Sequence, residues 1–157
     1  MADFTFNVAL GRAAEFYHRV KGGDPSTAAL LVVVLAATGV ESDAVLKDKD
    51  SLADVVAGTT NEATNPGYGR KVLAAADLAA LTPDDVNDRI DLDIADQTWT
   101  GVQSTGGAWS KFLVCYRPAT ASADSAIIPI SAHDFPIIPD GTDVVAQIAA
   151  AGFYRAQ

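Results

Sequence analysis

The sequence is poor in the side chains that bind metals or form disulfides. It has a single cysteine, Cys115, which excludes an intrachain disulfide and argues against a cysteine-based zinc site. Its two histidines, His18 and His133, are too few for a histidine-rich metal centre. We therefore expect a domain that folds and acts without a metal or another cofactor.

Positive charge is also scarce. Eleven Lys and Arg residues stand against twenty Asp and Glu residues, so the formal net charge is −9. A protein that binds nucleic acid through its phosphates needs a cationic face, and an anionic membrane surface makes a similar demand. We therefore expect neither nucleic acid nor membrane among the partners.

Long apolar segments are absent as well. The most apolar stretch, residues 28–37, has ten residues, whereas a membrane span needs about 20. The N-terminus lacks a basic segment followed by an apolar one, so no signal peptide is predicted. The apolar residues 29–36 instead predict a central strand that is buried on both faces.

The remaining pattern predicts one compact domain over residues 1–157, with residues 1–7 able to form a short N-terminal arm. Helices are predicted at residues 8–21, capped by Asn7 and ended by Gly22-Gly23, and at residues 48–56, capped by Asp50 or Ser51. Strands are predicted at 29–36, 70–73, 77–81, 89–94, 111–116 and 126–130, and residues 144–149 lead into a last strand. Short strands separated by frequent turns favour an α+β, mostly β class: an antiparallel β-sandwich or barrel-like domain with one or two short N-terminal helices.

The clearest half-exposed strand is residues 89–94. Ile90, Leu92 and Ile94 alternate with Asp91 and Asp93, so the apolar side chains share the face directed at the core. Together with Asp96, the two aspartates resemble a cation-binding motif. Calcium needs six to eight oxygens from a loop that wraps the ion, and a strand holds its side chains apart, so we favour a solvated strand face without metal.

Candidate catalytic groups do not form a recognisable motif. Ser131, His133 and Asp134 are neighbours in the sequence, but a catalytic triad requires convergence in space, and the GxSxG elbow is missing. We therefore interpret His133 as a surface or loop histidine. Cys115 lies in an apolar strand and is expected to be buried and unreactive. We assign no catalytic, cofactor-binding or metal-binding residue and predict that the protein is not an enzyme.

Trp99 and Trp109 flank a flexible, glycine-rich stretch, residues 101–107. Their size and apolar surface favour a place in the core. Two alternatives remain open at this point: interface anchors, and stacking platforms of a small ligand- or carbohydrate-binding β domain.

Several segments in a fixed order carry a resemblance to a known family. They are residues 50–58 (DSLADVVAG), 67–73 (GYGRKVL), 85–93 (DVNDRIDLD), Trp99 and the strand 112–116 (FLVCY). This order resembles small virion structural proteins of tailed bacteriophages, over residues 8–155. The resemblance implies a non-enzymatic capsid decoration or minor capsid protein, found in virions that assemble in the host cytoplasm. It transfers no functional residue, because the shared motifs build the fold.

The same resemblance implies partners. A decoration protein contacts the major capsid protein or other virion proteins, and we expect a homo-oligomer. A minor tail or head–tail joining protein is the alternative within the virion. The aromatic residues at the chain ends, Phe4, Phe6, Phe153 and Tyr154, are the candidate interface residues, because aromatic side chains are enriched at interfaces. The other explanation for them is that they complete the domain's own sheet.

Overall fold

The computed structural model describes residues 3–157, and within that range the chain forms nine strands and three short helices. The strands are β1 (Phe4–Thr5), β2 (Ala29–Ala36), β3 (Lys71–Leu73), β4 (Ile90–Leu92), β5 (Gln97–Trp99), β6 (Trp109–Arg117), β7 (Ile128–Ile137), β8 (Val144–Ala146) and β9 (Tyr154–Ala156). The helices are α1 (Ala13–Gly22), α2 (Asp43–Leu46) and α3 (Leu52–Val55). Every strand pairing is antiparallel. The predicted α+β, mostly β class is confirmed.

Five strands form the central sheet, in the order β1-β7-β6-β2-β3. The long strands β2, β6 and β7 lie at its middle, where each has two neighbours. The other four strands form two ribbons, β4 with β9 and β5 with β8. The predicted central strand at residues 29–36 is therefore confirmed to the residue.

The central sheet is covered on both faces, which gives the fold its sandwich-like layering. One face packs against α1 and both ribbons, and the other packs against α2, α3 and the N-terminal segment. Successive strand residues point to opposite faces, so β2 must be apolar at every position. The β2 residues in the first core are Leu30, Val32 and Val34, and those in the second are Leu31, Val33 and Leu35.

The first helix is shorter than predicted. Residues 7–9 form a 3-10 turn, and Gly11 follows with a φ of 76°, so the α-helix begins only at Ala13. The predicted start at residue 8 was therefore wrong, and Leu10, which precedes the α-helix, is 59% exposed. The predicted end is confirmed, because Gly23 adopts the left-handed conformation that terminates a helix.

One helix prediction and two strand predictions also need correction. The helix predicted at residues 48–56 covers only Leu52–Val55, with Ser51 as its N-cap. Residues 77–81 are not a strand, since a 3-10 turn occupies Ala75–Asp77 and only Leu78 makes a bridge, to Ile94. The strand expected at 126–130 begins at Ile128 and runs to Ile137 between two neighbours. Its Pro129 lies at a register shift against β6. Helix α2 and strand β5 were not predicted.

Arg70 links two loops through a fork of hydrogen bonds. Its Nη2 lies 2.7 Å from Glu62 Oε2, and its Nη1 lies 2.7 Å from Asp124 Oδ1. Tyr68 adds a hydrogen bond, since its hydroxyl donates to Glu62 Oε1 at 2.7 Å. Arg70 donates to both carboxylates in bidentate fashion, the geometry in which a guanidinium binds them best.

We expect Arg70→Met to lower the free energy of unfolding by about 2–3 kcal/mol at pH 7. About a third of the Arg70 and Asp124 side chains is exposed, which places the pair between exposed and buried ion pairs. Hydrogen bonds from Arg70 hold the pKa of Asp124 below its ordinary value. The ionised Asp124 therefore adds to the free energy of unfolding above its unfolded-state pKa of about 3.9. This contribution is lost as the pH falls through the lower pKa of Asp124 in the folded state.

Urea unfolding of both proteins between pH 7 and pH 3 measures this prediction. The difference in the free energy of unfolding between the native protein and the variant should become smaller below about pH 4. The matched control is Arg155→Met, which removes an arginine that binds one carboxylate, Asp91, instead of two and should have a much smaller effect. Equal losses for the two variants would contradict a special role for the Arg70 fork.

Candidate functional site

Two adjoining clefts lie where the chain ends meet, and together they form the candidate site, here named the terminal cleft. One part, of about 200 Å³, lies between β1 and β9. The other, of about 290 Å³, extends along the turn before β9. Asp3, His133 and Phe153 line both parts.

The fold brings these distant residues together through two local devices. Antiparallel pairing of β1 with β7 sets Phe4 opposite Ala132, which carries Asp3 to the level of His133. At the other end, Gly152 has a φ of 73°, and a Cβ there would lie 2.1 Å from the Leu92 carbonyl oxygen. Only glycine allows this close turn, and the turn delivers Phe153 to the cleft.

Asp3, His133 and Ser131 form a chain of hydrogen bonds at the cleft. His133 Nδ1 lies 3.1 Å from Asp3 Oδ2, and His133 Nε2 lies 2.9 Å from Ser131 Oγ. A carboxylate only accepts hydrogen bonds, so Nδ1–H donates to Asp3, and in the neutral imidazole Nε2 accepts from the serine hydroxyl. The His133 ring also stacks on Phe112, with 4.8 Å between ring centroids.

Electrostatics favours the ionised form of Asp3. Partial burial acts to raise the pKa of Asp3, but hydrogen bonds from the Asp134 backbone N–H and from His133 outweigh it. The net result is a pKa of Asp3 below its ordinary value. A negative charge beside the Nδ1–H holds the imidazole in one orientation.

The connectivity is that of a catalytic triad, but the surroundings of the serine are those of a sheet. Ser131 is 2% exposed and lies in β7 between β1 and β6. Its backbone and that of Ala132 take part in the sheet ladder, so they are not arranged as an oxyanion hole. The arrangement thus ties the N-terminal segment to β7. His133, interpreted from the sequence as a surface or loop histidine, lies in strand β7, and its side chain is 14% exposed.

Three of the four predicted interface residues are buried in the chain's own cores. Phe6 is fully buried, and Phe4 and Phe153 are 8% and 7% exposed. Tyr154 is half-buried and lines the terminal cleft. The aromatic chain ends therefore complete the domain itself, and a role of these four residues in contacts with another subunit stays a prediction.

Both tryptophans belong to the core, as predicted. Trp99 and Trp109 are each 1% exposed and meet edge to face, with ring centroids 5.4 Å apart. The Trp99 Nε1–H donates to the Gly69 carbonyl, and the Trp109 Nε1–H donates to Asn65 Oδ1, both at 2.8 Å. Neither ring offers a face on which a sugar could stack.

The aspartates of residues 91–96 serve separate structural contacts. Asp91 pairs with Arg155 at 2.6 Å, and Asp96 accepts a hydrogen bond from the Ile148 N–H at 2.8 Å. Among residues 3–157, no three His, Cys, Asp or Glu side chains are grouped so that they could hold a metal ion. In the same range no helix is long and apolar enough to cross a bilayer.

Metal removal is expected to leave stability unchanged. Melting temperatures measured with a chelator and with excess Ca²⁺ should agree within about 2 °C, because an ion that binds only the folded state would raise the melting temperature. A melting temperature that is clearly higher with excess Ca²⁺ than with the chelator would contradict the interpretation of residues 91–96 as a solvated strand face.

Sequence reasoning missed Asp3 and Lys111. Asp3 lies 130 residues from its partner His133, and no local spacing links the two. Lys111 did carry a signal, since it directly precedes the apolar residues 112–116. A lysine in a fully buried strand must have partners, and the structure supplies Asp43 and Asp134. Cys115 is buried as predicted, and burial raises the pKa of its thiol.

Comparisons with known proteins identify no relative. No family model, no curated protein and no solved structure matches the chain significantly.

Proposed function

We propose that this protein is a non-enzymatic structural component of a tailed-phage virion, which decorates or stabilises the capsid. The proposal rests on one observation: the residues that carry the resemblance to virion proteins make contacts that hold the fold together. Among them, the side chains of Tyr68, Arg70 and Trp99 hold strands and loops together.

The contacts of these motif residues support that view. Tyr68 and Arg70 hold Glu62, Trp99 binds the backbone at Gly69, and Tyr116 stacks on Phe16 with 4.8 Å between ring centroids. Such contacts stabilise a scaffold. A virion protein needs this stability and repeated surface contacts, whereas an enzyme needs a convergent set of reactive groups.

The surface is compatible with attachment to larger partners. The net charge is −9, which disfavours nucleic acid and favours a partner surface that carries positive charge. Large apolar side chains are exposed at scattered positions, of which Val86 at 90% and Ile138 at 81% are the most exposed. The proposed partners are the major capsid protein or other virion proteins, together with further copies of this chain.

Two alternatives differ in what they require. A minor tail or head–tail joining protein would have the same internal contacts, and only its place in the particle would differ. The hypothesis of a small ligand-binding β domain, in which sugars stack on Trp99 and Trp109, has no support because both rings are buried.

The test is binding of the purified chain to phage heads that were assembled without it. Quantitative mass spectrometry of the washed heads counts the bound copies, and heads that already carry the protein serve as the control. We expect saturation at a number that matches a class of capsid lattice positions. Binding to isolated tails or connectors, and not to heads, would instead support the joining function.

A further inference from the structure

Lys111 is a completely buried lysine between two carboxylates. It lies on β6 directly opposite Asp134 of β7, and its Nζ contacts the Asp134 carboxylate. On another side, Nζ lies 3.1 Å from Asp43 Oδ1 of helix α2. The ring of Phe4 lies 5.5 Å from Nζ, so the ammonium group is enclosed by charged partners and aromatic surface. None of these contacts belongs to the hydrogen-bond chain of Asp3, His133 and Ser131.

A charged lysine in this position is costly. The Lys111 side chain is 0% exposed, whereas the side chains of Asp43 and Asp134 are 21% and 31% exposed. Removing an ammonium ion from water carries a large desolvation penalty, which an ion pair offsets only in part. Condensing an amine and a carboxylate into a neutral amide removes both charges, and it therefore becomes more favourable in a dry site than in water.

We propose that Lys111 and Asp134 react to form an intramolecular isopeptide bond, with Asp43 as the proton carrier. The Asp43 carboxylate accepts a proton from Nζ, and the neutral amine attacks Cγ of Asp134. Asp43 passes this proton to a carboxylate oxygen of Asp134, and a second proton then moves from Nζ through Asp43 to the same oxygen, which leaves as water. One N–C bond forms, one C–O bond breaks and one water leaves, so the ammonium–carboxylate pair becomes an amide without any oxidant or other reactant.

The structure favours Asp134 as the acceptor and Asp43 as the proton carrier. The register of β6 and β7 holds Lys111 and Asp134 on directly paired residues, so the reacting atoms stay together without any movement of the backbone. Asp43 comes from a separate helix and approaches Nζ from another direction. Holding the reactants in contact raises the effective concentration of the amine by orders of magnitude. A nucleophilic lysine in an apolar pocket beside a proton acceptor is an established arrangement for covalent chemistry.

The bond would join β6 and β7, two of the three strands at the middle of the central sheet. This inference does not rest on the proposed function, because it concerns only the interior of one chain. The link would persist in denaturant, whereas an ion pair would not.

The test is the intact mass of the purified, denatured chain. We expect a mass lower than that of the sequence by one water, about 18 Da. Trypsin does not cleave after an amidated lysine, so digestion should yield residues 90–155 as one peptide lacking a water, in place of residues 90–111 and 112–155. An intact mass equal to that of the full sequence, with normal cleavage after Lys111, would overturn the proposal.

Two variants distinguish the formation of this bond from other reactions that remove a water from the chain. Lys111→Arg keeps a positive charge but should show the full mass, and a persisting loss of water in this variant would place the dehydration elsewhere, for example at Asp140-Gly141. Asp43→Asn should slow or abolish the reaction while Lys111 and Asp134 are both present. Complete cross-linking in Asp43→Asn would overturn the role assigned to Asp43. The test does not depend on the variants folding, because an unchanged intact mass of the native chain overturns the proposal, and a missed cleavage after Lys111 locates the link in the native chain.

Discussion

Replacing Leu92 by Asp is expected to prevent the chain from folding, whereas replacing it by Ile should be mild. Leu92 is fully buried in the core between the sheet, α1 and the ribbons. Burying a carboxylate without a partner costs several kcal/mol in addition to the lost packing, which is comparable with the roughly 5–15 kcal/mol that holds a domain folded. A change from Leu to Ile keeps the volume and costs less than about 1.5 kcal/mol.

Circular dichroism and urea unfolding of the purified variants measure this effect. The matched control is Val72→Asp, which places the same charge on a strand residue that is 49% exposed and should leave a cooperative transition. A soluble, cooperatively folded Leu92→Asp protein would show that the side chain faces solvent, and thus that the register of β4 is inverted.

The parts of the fold that were predicted correctly are those in which local pattern and tertiary burial agree. The unbroken apolar run at residues 29–36 requires a strand covered on both sides, and β2 has those bounds. The alternation at residues 89–94 predicts that Ile90, Leu92 and Ile94 face the core. Leu92 and Ile94 are buried, and Ile90 is half-buried against the same core. In each case the alternation of side chains along a strand is enough to determine which residues are buried.

The predictions failed where backbone geometry or distant partners decide the outcome. Gly11 separates a 3-10 turn from α1, although the apolar spacing continues across it. Residues 77–81 carry the apolar residues of a strand, but a 3-10 turn begins the segment and only Leu78 makes a bridge.

The terminal cleft could be predicted only in part. For the aromatic residues at the two chain ends, the sequence allowed two explanations, contacts with another subunit or completion of the domain's own sheet. Three of the four are buried in the chain's own cores. The position of Asp3 against His133 depends on the pairing of β1 with β7, and no spacing within the sequence specifies that pairing. The same holds for Asp43, which reaches Lys111 from an unpredicted helix.

The N-terminal segment provides the second large expected effect. A variant that lacks residues 2–6 should lose more than about 10 °C in melting temperature or fail to fold. Truncation of a buried phenylalanine costs about 3–5 kcal/mol, and the deletion removes both Phe4 and Phe6. It also removes the β1 ladder, the Phe6 N–H bond to the Ile130 carbonyl at 2.9 Å and the Asp3 contact with His133. A domain of this size loses roughly 2–4 °C per kcal/mol.

Thermal unfolding, together with light scattering for the oligomeric state, distinguishes the two explanations of the chain ends. Phe6→Ala should reproduce a large part of the loss, while Tyr154→Thr, at a half-buried strand position, should cost far less. If the deletion variant instead melts like the native protein but no longer oligomerises or binds heads, the N-terminal segment is an attachment device. Because Phe4 and Phe6 fill the core beneath α2 and α3, we expect the opposite result: stability falls steeply, and any assembly that survives at low temperature uses other surfaces.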